Sequence, residues 1–135
     1  MKFVVDANVL SEPTKPVPHP KVLEWLRRNQ SELAVTPVIL GELEYGILLL
    51  PTGRRRRRLE AWFAEGKDRL QVLDFTTPTA ARWARLLAGL KKKGYAMPVK
   101  DSLIAASALE HNLTLATRNT DDFRFSGAKV FNPFV

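Results

Sequence analysis

At 135 residues and 45% hydrophobic, the chain has enough apolar material for one compact core, and with no cysteine it has neither disulfides nor thiolate metal sites. Its formal net charge of +7, from 21 Lys+Arg against 14 Asp+Glu, leaves two readings: a polyanionic partner, nucleic acid being the commonest, or a merely soluble basic surface. No apolar run reaches bilayer length and no secretory leader pattern opens the chain, so the expected setting is cytoplasmic, without a membrane partner.

Residues 2–5 read as a buried strand, ended abruptly by Asp6. Residues 11–19 hold three prolines and read as a loop. Pro20 opens a helix reaching Asn29, with Val22, Leu23, Trp25 and Leu26 as its apolar stripe. Leu33 to Thr36 is a second strand. Pro37 then opens a helix with Val38, Ile39, Leu43, Ile47 and Leu50 inward, stopped by Pro51 and Gly53. A third helix spans Arg54 to Ala64, and Leu70 to Phe75 reads as a strand. Thr77 caps a helix to Lys93, with Ala80, Trp83, Ala84, Leu87 and Leu90 buried and Gly94 ending it. Another helix starts near Lys100 or Asp101 and stops before Asn112. Leu113 to Ala116 is a strand, RNTDDF a turn, and Ala128 to Phe131 a last strand. Strands alternating with helices imply an α/β fold whose mostly parallel sheet is covered on both faces.

Sites on such sheets form beyond the carboxyl ends of the strands. Asp6 stands there directly. Glu42 lies one turn into the helix after the second strand, Asp101 opens a late helix, and Asp121 and Asp122 follow LTLA. Taken singly, most have ordinary readings. Asp101 suits a helix cap, Asp121 and Asp122 suit a turn, and Glu42 suits a solvent-facing position. Asp6 does not, because a carboxylate abutting a buried strand is desolvated. Carboxylates gathered at one sheet edge repel unless protons or cations intervene. Mg²⁺ or Mn²⁺ would resolve this, since such ions prefer oxygen and need only one or two carboxylates directly. Either would lower the pKa of a bound water and neutralise a phosphate oxygen. His19 and His111 belong to no spaced motif and read as surface positions. The chain has no G-x-S-x-G, phosphate-binding glycine loop or zinc spacing.

Four stretches, VVDANVLSEP, TPVILGELEYGILLLP followed by GRRRRR, VKDSLIAASALEHNLTLATRNTDDF, and VFNPF, together resemble the PIN-domain ribonucleases of the VapC toxin type, above all the FitB-like branch. The resemblance covers nearly the whole chain in order, and ATRNTDDF after DSLIAASA is its most specific part. It implies a single domain over 1–135 with a three-layer α/β/α fold. It implies an Mg²⁺- or Mn²⁺-dependent endoribonuclease that uses metal-activated water, acting as the toxin of a type II toxin–antitoxin pair. The implied partners are RNA, a cognate antitoxin, a second copy in a homodimer, and operator DNA bound through the antitoxin.

By the same resemblance Asp6 is the first acid, Glu42 in GELEYG the second and Asp101 in KDSLIAA the third. Asp122, directly before the phenylalanine, is the fourth. The FitB branch instead places its acid where this chain has Asn119, and Asp121 is a spatial alternative. Asp6 and Asp101 are the implied direct metal ligands, with Glu42 and Asp122 acting through waters or on a second ion. Asn8 and Thr117 match positions that brace the pocket. Glu44, two residues from Glu42 on a helix, is turned away and reads as surface or interface.

Arg54, Arg55, Arg56, Arg57 and Arg58 stand at a helix start. Successive positions advance by about 100°, so these side chains surround the axis. They also oppose the helix dipole. The ordinary reading is a solvated, frayed turn; the resemblance favours contact with RNA phosphates or acidic antitoxin residues. The alternative function is a non-catalytic RNA- or partner-binding module on the same fold. A phosphoacceptor receiver domain and a D-x-D phosphatase both need a second acid after the first strand, where this chain has Ala7 and Asn8.

Overall fold

The computed structural model describes residues 1–135. In chain order the elements are β1 (Phe3–Val5), α1 (Ala7–Leu10), α2 (Pro20–Arg28), β2 (Leu33–Val35), α3 (Pro37–Leu48), α4 (Arg54–Lys67), β3 (Gln71–Val72), α5 (Thr77–Lys92), α6 (Val99–Glu110), β4 (Thr114–Ala116) and β5 (Val130–Phe131). Single 3-10 turns occupy Glu12–Thr14, Gln30–Glu32 and Thr120–Phe123.

The five strands form one sheet in the order β3-β2-β1-β4-β5, and every pairing is parallel. β1 is central, with Phe3 opposite Leu33 on one side and Thr114 on the other. Val4, Val5, Ala34, Val35, Leu115 and Ala116 are fully buried. Continuous apolar strands of this kind need cover on both faces. Alternating side chains divide that cover. Val4 packs with Ile39, Leu43, Ile104, Leu115 and Phe123 on one face, while Val5 packs with Val9, Val22, Trp25 and Phe134 on the other. Helices therefore cover both sides, as the alternation of strand and helix signals predicts, in the three layers that the family resemblance implies. No helix is long and apolar enough to cross a membrane.

From β1 the chain builds outward through β2 and β3, then returns to β4 on the far side of β1. The direction of strand progression reverses between β1 and β4. A crevice at such a switch point lies beyond the carboxyl ends of the two strands, which here are followed by Asp6 and Thr117.

Several details differ from the sequence reading. A short helix, α1, begins at once after Asp6, and the proline-rich loop contains the 3-10 turn Glu12–Thr14. β3 is two residues long where Leu70 to Phe75 reads as a strand, because it lies at the sheet edge with one neighbour; Leu73 still donates its N–H to Val35 at 2.8 Å. α3 ends at Leu48, short of Leu50, and α4 continues past Ala64 to Lys67. Thr76, and not Thr77, stands at the N-cap of α5. On α5, Ala84 is exposed and Leu86 packs inward. That face meets α6, where the small buried residues Ser102, Ala105, Ala106 and Ala108 permit close approach. Gly94, at φ 78°, takes the left-handed turn that ends α5.

Candidate active site

Asp6 continues the β1 ladder, donating its N–H to Ala116 O at 2.9 Å. Its side chain is 6% exposed. Oδ1 accepts from the Ala7 N–H at 2.8 Å, which starts α1. Oδ2 accepts from Thr117 Oγ1 at 2.7 Å and from Asn8 Nδ2 at 3.4 Å. Thr117 Oγ1 in turn accepts from the Asn119 N–H at 3.1 Å, and Asn8 Oδ1 accepts from the Arg118 N–H at 3.1 Å. A hydroxyl has one proton to give. With that proton spent on Asp6 and a lone pair spent on Asn119, the Thr117 side chain is fixed. The ends of β1 and β4 are thus tied together around one carboxylate.

The next acids come from helices. Glu42 lies on α3 and Asp101 in the first turn of α6, and the two helices pack together. The N-cap of α6 is Pro98, so Asp101 makes no cap. Between them stands Lys100, its Nζ 3.0 Å from Glu42 Oε2. The other oxygen, Glu42 Oε1, is buried with no hydrogen-bond partner. Burial pushes the Asp101 carboxyl above its ordinary pKa; Lys100 opposes this, and the charges of Asp122, Asp6 and Glu42 add to it. The Lys100 ammonium is held above its usual range by its hydrogen bond to Glu42 and by the charges of Glu42, Asp101 and Asp6, against burial. Four carboxylates from four segments therefore share one field.

The turn Thr120–Phe123 is anchored by fully buried Phe123, while Asp121 and Asp122 are exposed. Only Asp122 of the two acts on Asp101. The Asn119 side chain is exposed, and its backbone serves Thr117. Glu44 is exposed on the outer side of α3.

No three carboxylates converge into a ready ligand cage. The donor set nonetheless suits a hard cation. It is all oxygen, it includes one buried oxygen without a partner, and like charges already disfavour ionisation of Asp101.

The arginine run divides by direction. Arg56 donates from Nε to Glu60 Oε1 at 3.2 Å and from Nη1 to Leu50 O at 3.4 Å, tying α4 to the preceding loop. Arg55 and Arg58, almost one turn apart, line a groove of about 620 Å³ with Pro13, Lys15 and Trp62. Arg55 and Trp62 also line an adjoining cavity of about 270 Å³, whose wall carries Asn8 and Glu42. A basic groove thus opens onto the acidic crevice. Arg54 and Arg57 are exposed and line neither.

Two residues escaped the sequence reading. Lys100, beside Asp101, looks like a solvent-facing neighbour because adjacent helical positions do not share a face. Glu12 sits alone in a proline-rich loop, with no spacing to flag it. In the structure it is 4% exposed, with Oε2 accepting the His19 N–H at 2.9 Å and Oε1 lying 3.0 Å from Lys15 Nζ. Burial alone would raise its pKa; the His19 N–H, Lys15 and Arg118 outweigh burial and hold it below the ordinary value. His19 itself is half-buried, accepting the Lys21 N–H as the N-cap of α2.

A five-stranded parallel sheet with carboxylates gathered at its switch point defines the class. The PIN domain family model matches residues 3–127, and the chain belongs to the PIN-domain family. Toxin FitB of Neisseria gonorrhoeae is 33% identical over 136 residues, spanning 98% of each chain. VapC ribonuclease Y4jK of Sinorhizobium fredii is 33% identical over 137 residues, spanning 98% of this chain and 97% of the relative. The solved structure of FitAB bound to an IR36 DNA fragment matches with a TM-score of 0.92 at 30% identity, over 98% of this chain and 96% of that one.

Proposed function

We propose that this chain is an Mg²⁺- or Mn²⁺-dependent endoribonuclease that hydrolyses RNA phosphodiester bonds as the toxin of a type II toxin–antitoxin pair. The observation that carries this reading is the buried, unpartnered Glu42 Oε1 in a crevice that also holds Asp6, Asp101 and Asp122. Asp6 and Asp101 would hold the ion directly, with Glu42 and Asp122 reaching it through water. When bound, the cation supplies a water of lowered pKa and neutralises a phosphate oxygen.

The chain's own residues do the rest. Thr117, Asn8 and the Ala7 N–H fix the Asp6 carboxylate in one orientation, so it needs no reorganisation to accept a ligand. Arg55, Arg58 and Lys15 collect phosphates in the groove that opens on the crevice. Relatives named as ribonuclease and toxin support the activity. The FitAB–DNA complex supports an antitoxin partner and operator DNA bound by the pair. Exposed Tyr45 and Leu48 on α3, with Leu49 at its C-cap, support a protein interface, with the antitoxin or a second copy as occupant.

Cleavage of single-stranded RNA tests the reading. Wild type is expected to cut with Mg²⁺ and stop in EDTA, and Asp6→Asn to lose at least a hundredfold in rate, roughly the scale for removing a core catalytic group. Cutting in EDTA, or full activity in Asp6→Asn, defeats it. One observation favours the alternative, a non-catalytic RNA- or partner-binding module: Lys100 already gives Glu42 an internal cation.

A further inference from the structure

We infer that Lys100 is an internal counter-ion of the acid crevice, holding Glu42 while no divalent cation is bound and competing with that cation for it. The inference rests on the metal-dependent reading above and says what this chain adds to it.

The geometry is direct: Lys100 Nζ lies 3.0 Å from Glu42 Oε2. The charges acting on neighbouring Asp101 are one cation, Lys100, and three anions, Asp122, Asp6 and Glu42. Nothing in the helix itself calls for a lysine there. Lys100 is the second residue of α6, where a cation opposes the helix dipole, so the acids account for its position and the helix does not. Its side chain is 53% exposed against 25% for Glu42, so the ammonium can withdraw into water on its flexible stem while the carboxylate stays.

An ammonium neutralises charge, but it offers neither open coordination positions nor an acidified water. Lys100 can therefore keep the empty crevice folded without making it active. A divalent ion entering the site takes Glu42 from it. Part of the binding energy of the ion is then spent on releasing the lysine, and the released ammonium stands at the mouth of the crevice.

The test uses the full chain and Mn²⁺ alone, with free Mn²⁺ followed by electron paramagnetic resonance. Wild type, Lys100→Met, Lys100→Arg and Asp6→Asn are compared, and each is checked for folding by circular dichroism. Lys100→Met is expected to bind Mn²⁺ roughly three- to tenfold more tightly, the scale of one partly exposed ion pair plus the lost repulsion of a neighbouring cation. It is also expected to melt lower than wild type in EDTA and to gain more from added Mn²⁺. Lys100→Arg, which keeps the charge, should bind much as wild type does. If wild type binds and Lys100→Met binds equally or more weakly, the inference is overturned and the metal site stands. If wild type takes up no more Mn²⁺ than Asp6→Asn, the metal-dependent reading fails and the inference falls with it.

Discussion

Glu12 and Glu42 each lie 3.0 Å from a lysine ammonium, yet their surroundings differ. Around Glu12 the chain supplies a backbone N–H, Lys15 and the nearby charge of Arg118, and no other acid acts on it. Glu42 shares its crevice with Asp101, on which Asp122 and Asp6 also act, and its lysine lies on Oε2 while Oε1 is buried without a hydrogen bond. Glu12 Oε1 is also buried without a hydrogen bond, but Lys15 Nζ lies 3.0 Å from it, and the acid is structural, pinning the proline-rich loop to the start of α2. The second site differs in that its lysine meets the other oxygen, and the neighbouring charges are carboxylates. A buried carboxylate oxygen left unsatisfied costs stability unless something absent from the chain is meant to meet it.

If that contrast is right, the two glutamates respond differently to mutation. Glu12→Ala removes the acceptor of the part-buried His19 N–H and the partner of Lys15, and should cost about 1 to 2 kcal/mol in urea denaturation. Glu42→Gln, in EDTA, should be close to neutral, because the like charge it removes from the crevice offsets the lost pairing with Lys100, which still faces the other acids. Equal losses in the two variants would erase the distinction.

Thr117→Val sharpens the contrast next. It deletes the 2.7 Å bond to Asp6 and the acceptor of the Asn119 N–H, and should cost about 1 to 2 kcal/mol. It should also weaken Mn²⁺ binding. A loss of stability with unchanged Mn²⁺ affinity would mean that Thr117 braces the sheet ends and not the site.

The pH dependence should separate the sites by sign. The Glu12 pKa is lowered in the fold, so its stabilisation is complete above the ordinary carboxylate value and is lost as pH falls through the lowered one. The Asp101 pKa is raised, so stability is lost as pH rises from the ordinary value through the raised one. Melting curves in EDTA between pH 3 and 7, a range of about one to three units around the ordinary carboxylate values, read both. Glu12→Gln should flatten the acid limb, and Asp101→Asn should raise the melting temperature at neutral pH. The reverse pattern would contradict the assignment of the two sites.

The smallest effects should lie along α4. Arg55→Ala or Arg58→Ala should reduce the slope of log affinity against log salt for RNA by about one each. Arg54→Ala and Arg57→Ala, outside the groove, should change it less. Equal slopes across the four variants would show a diffuse basic surface with no groove.

Much of the fold was legible because buried parallel strands write continuous apolar runs and prolines mark helix starts; Val4–Val5, Leu115–Ala116, Pro20 and Pro37 did so here. The edge strand β3 was overread, since Leu70, Val72 and Leu73 are apolar for packing on the helix layer while only Gln71 and Val72 pair as strand. The helix after Asp6 was hidden, since four residues carry too little periodicity to show. Within the crevice the acids stood out by their places at element ends. Lys100 did not, because its role depends on α3 bringing Glu42 from 58 positions away. Glu12 was equally hidden, its partners being fixed by the path of a loop.

Anomalous scattering from a crystal soaked in Mn²⁺ would test the central claim most directly. The account predicts a peak in the crevice in direct contact with carboxylate oxygens of Asp6 and Asp101, with Lys100 withdrawn from Glu42. A crevice without a peak, with Lys100 still on Glu42 under saturating Mn²⁺, would contradict it.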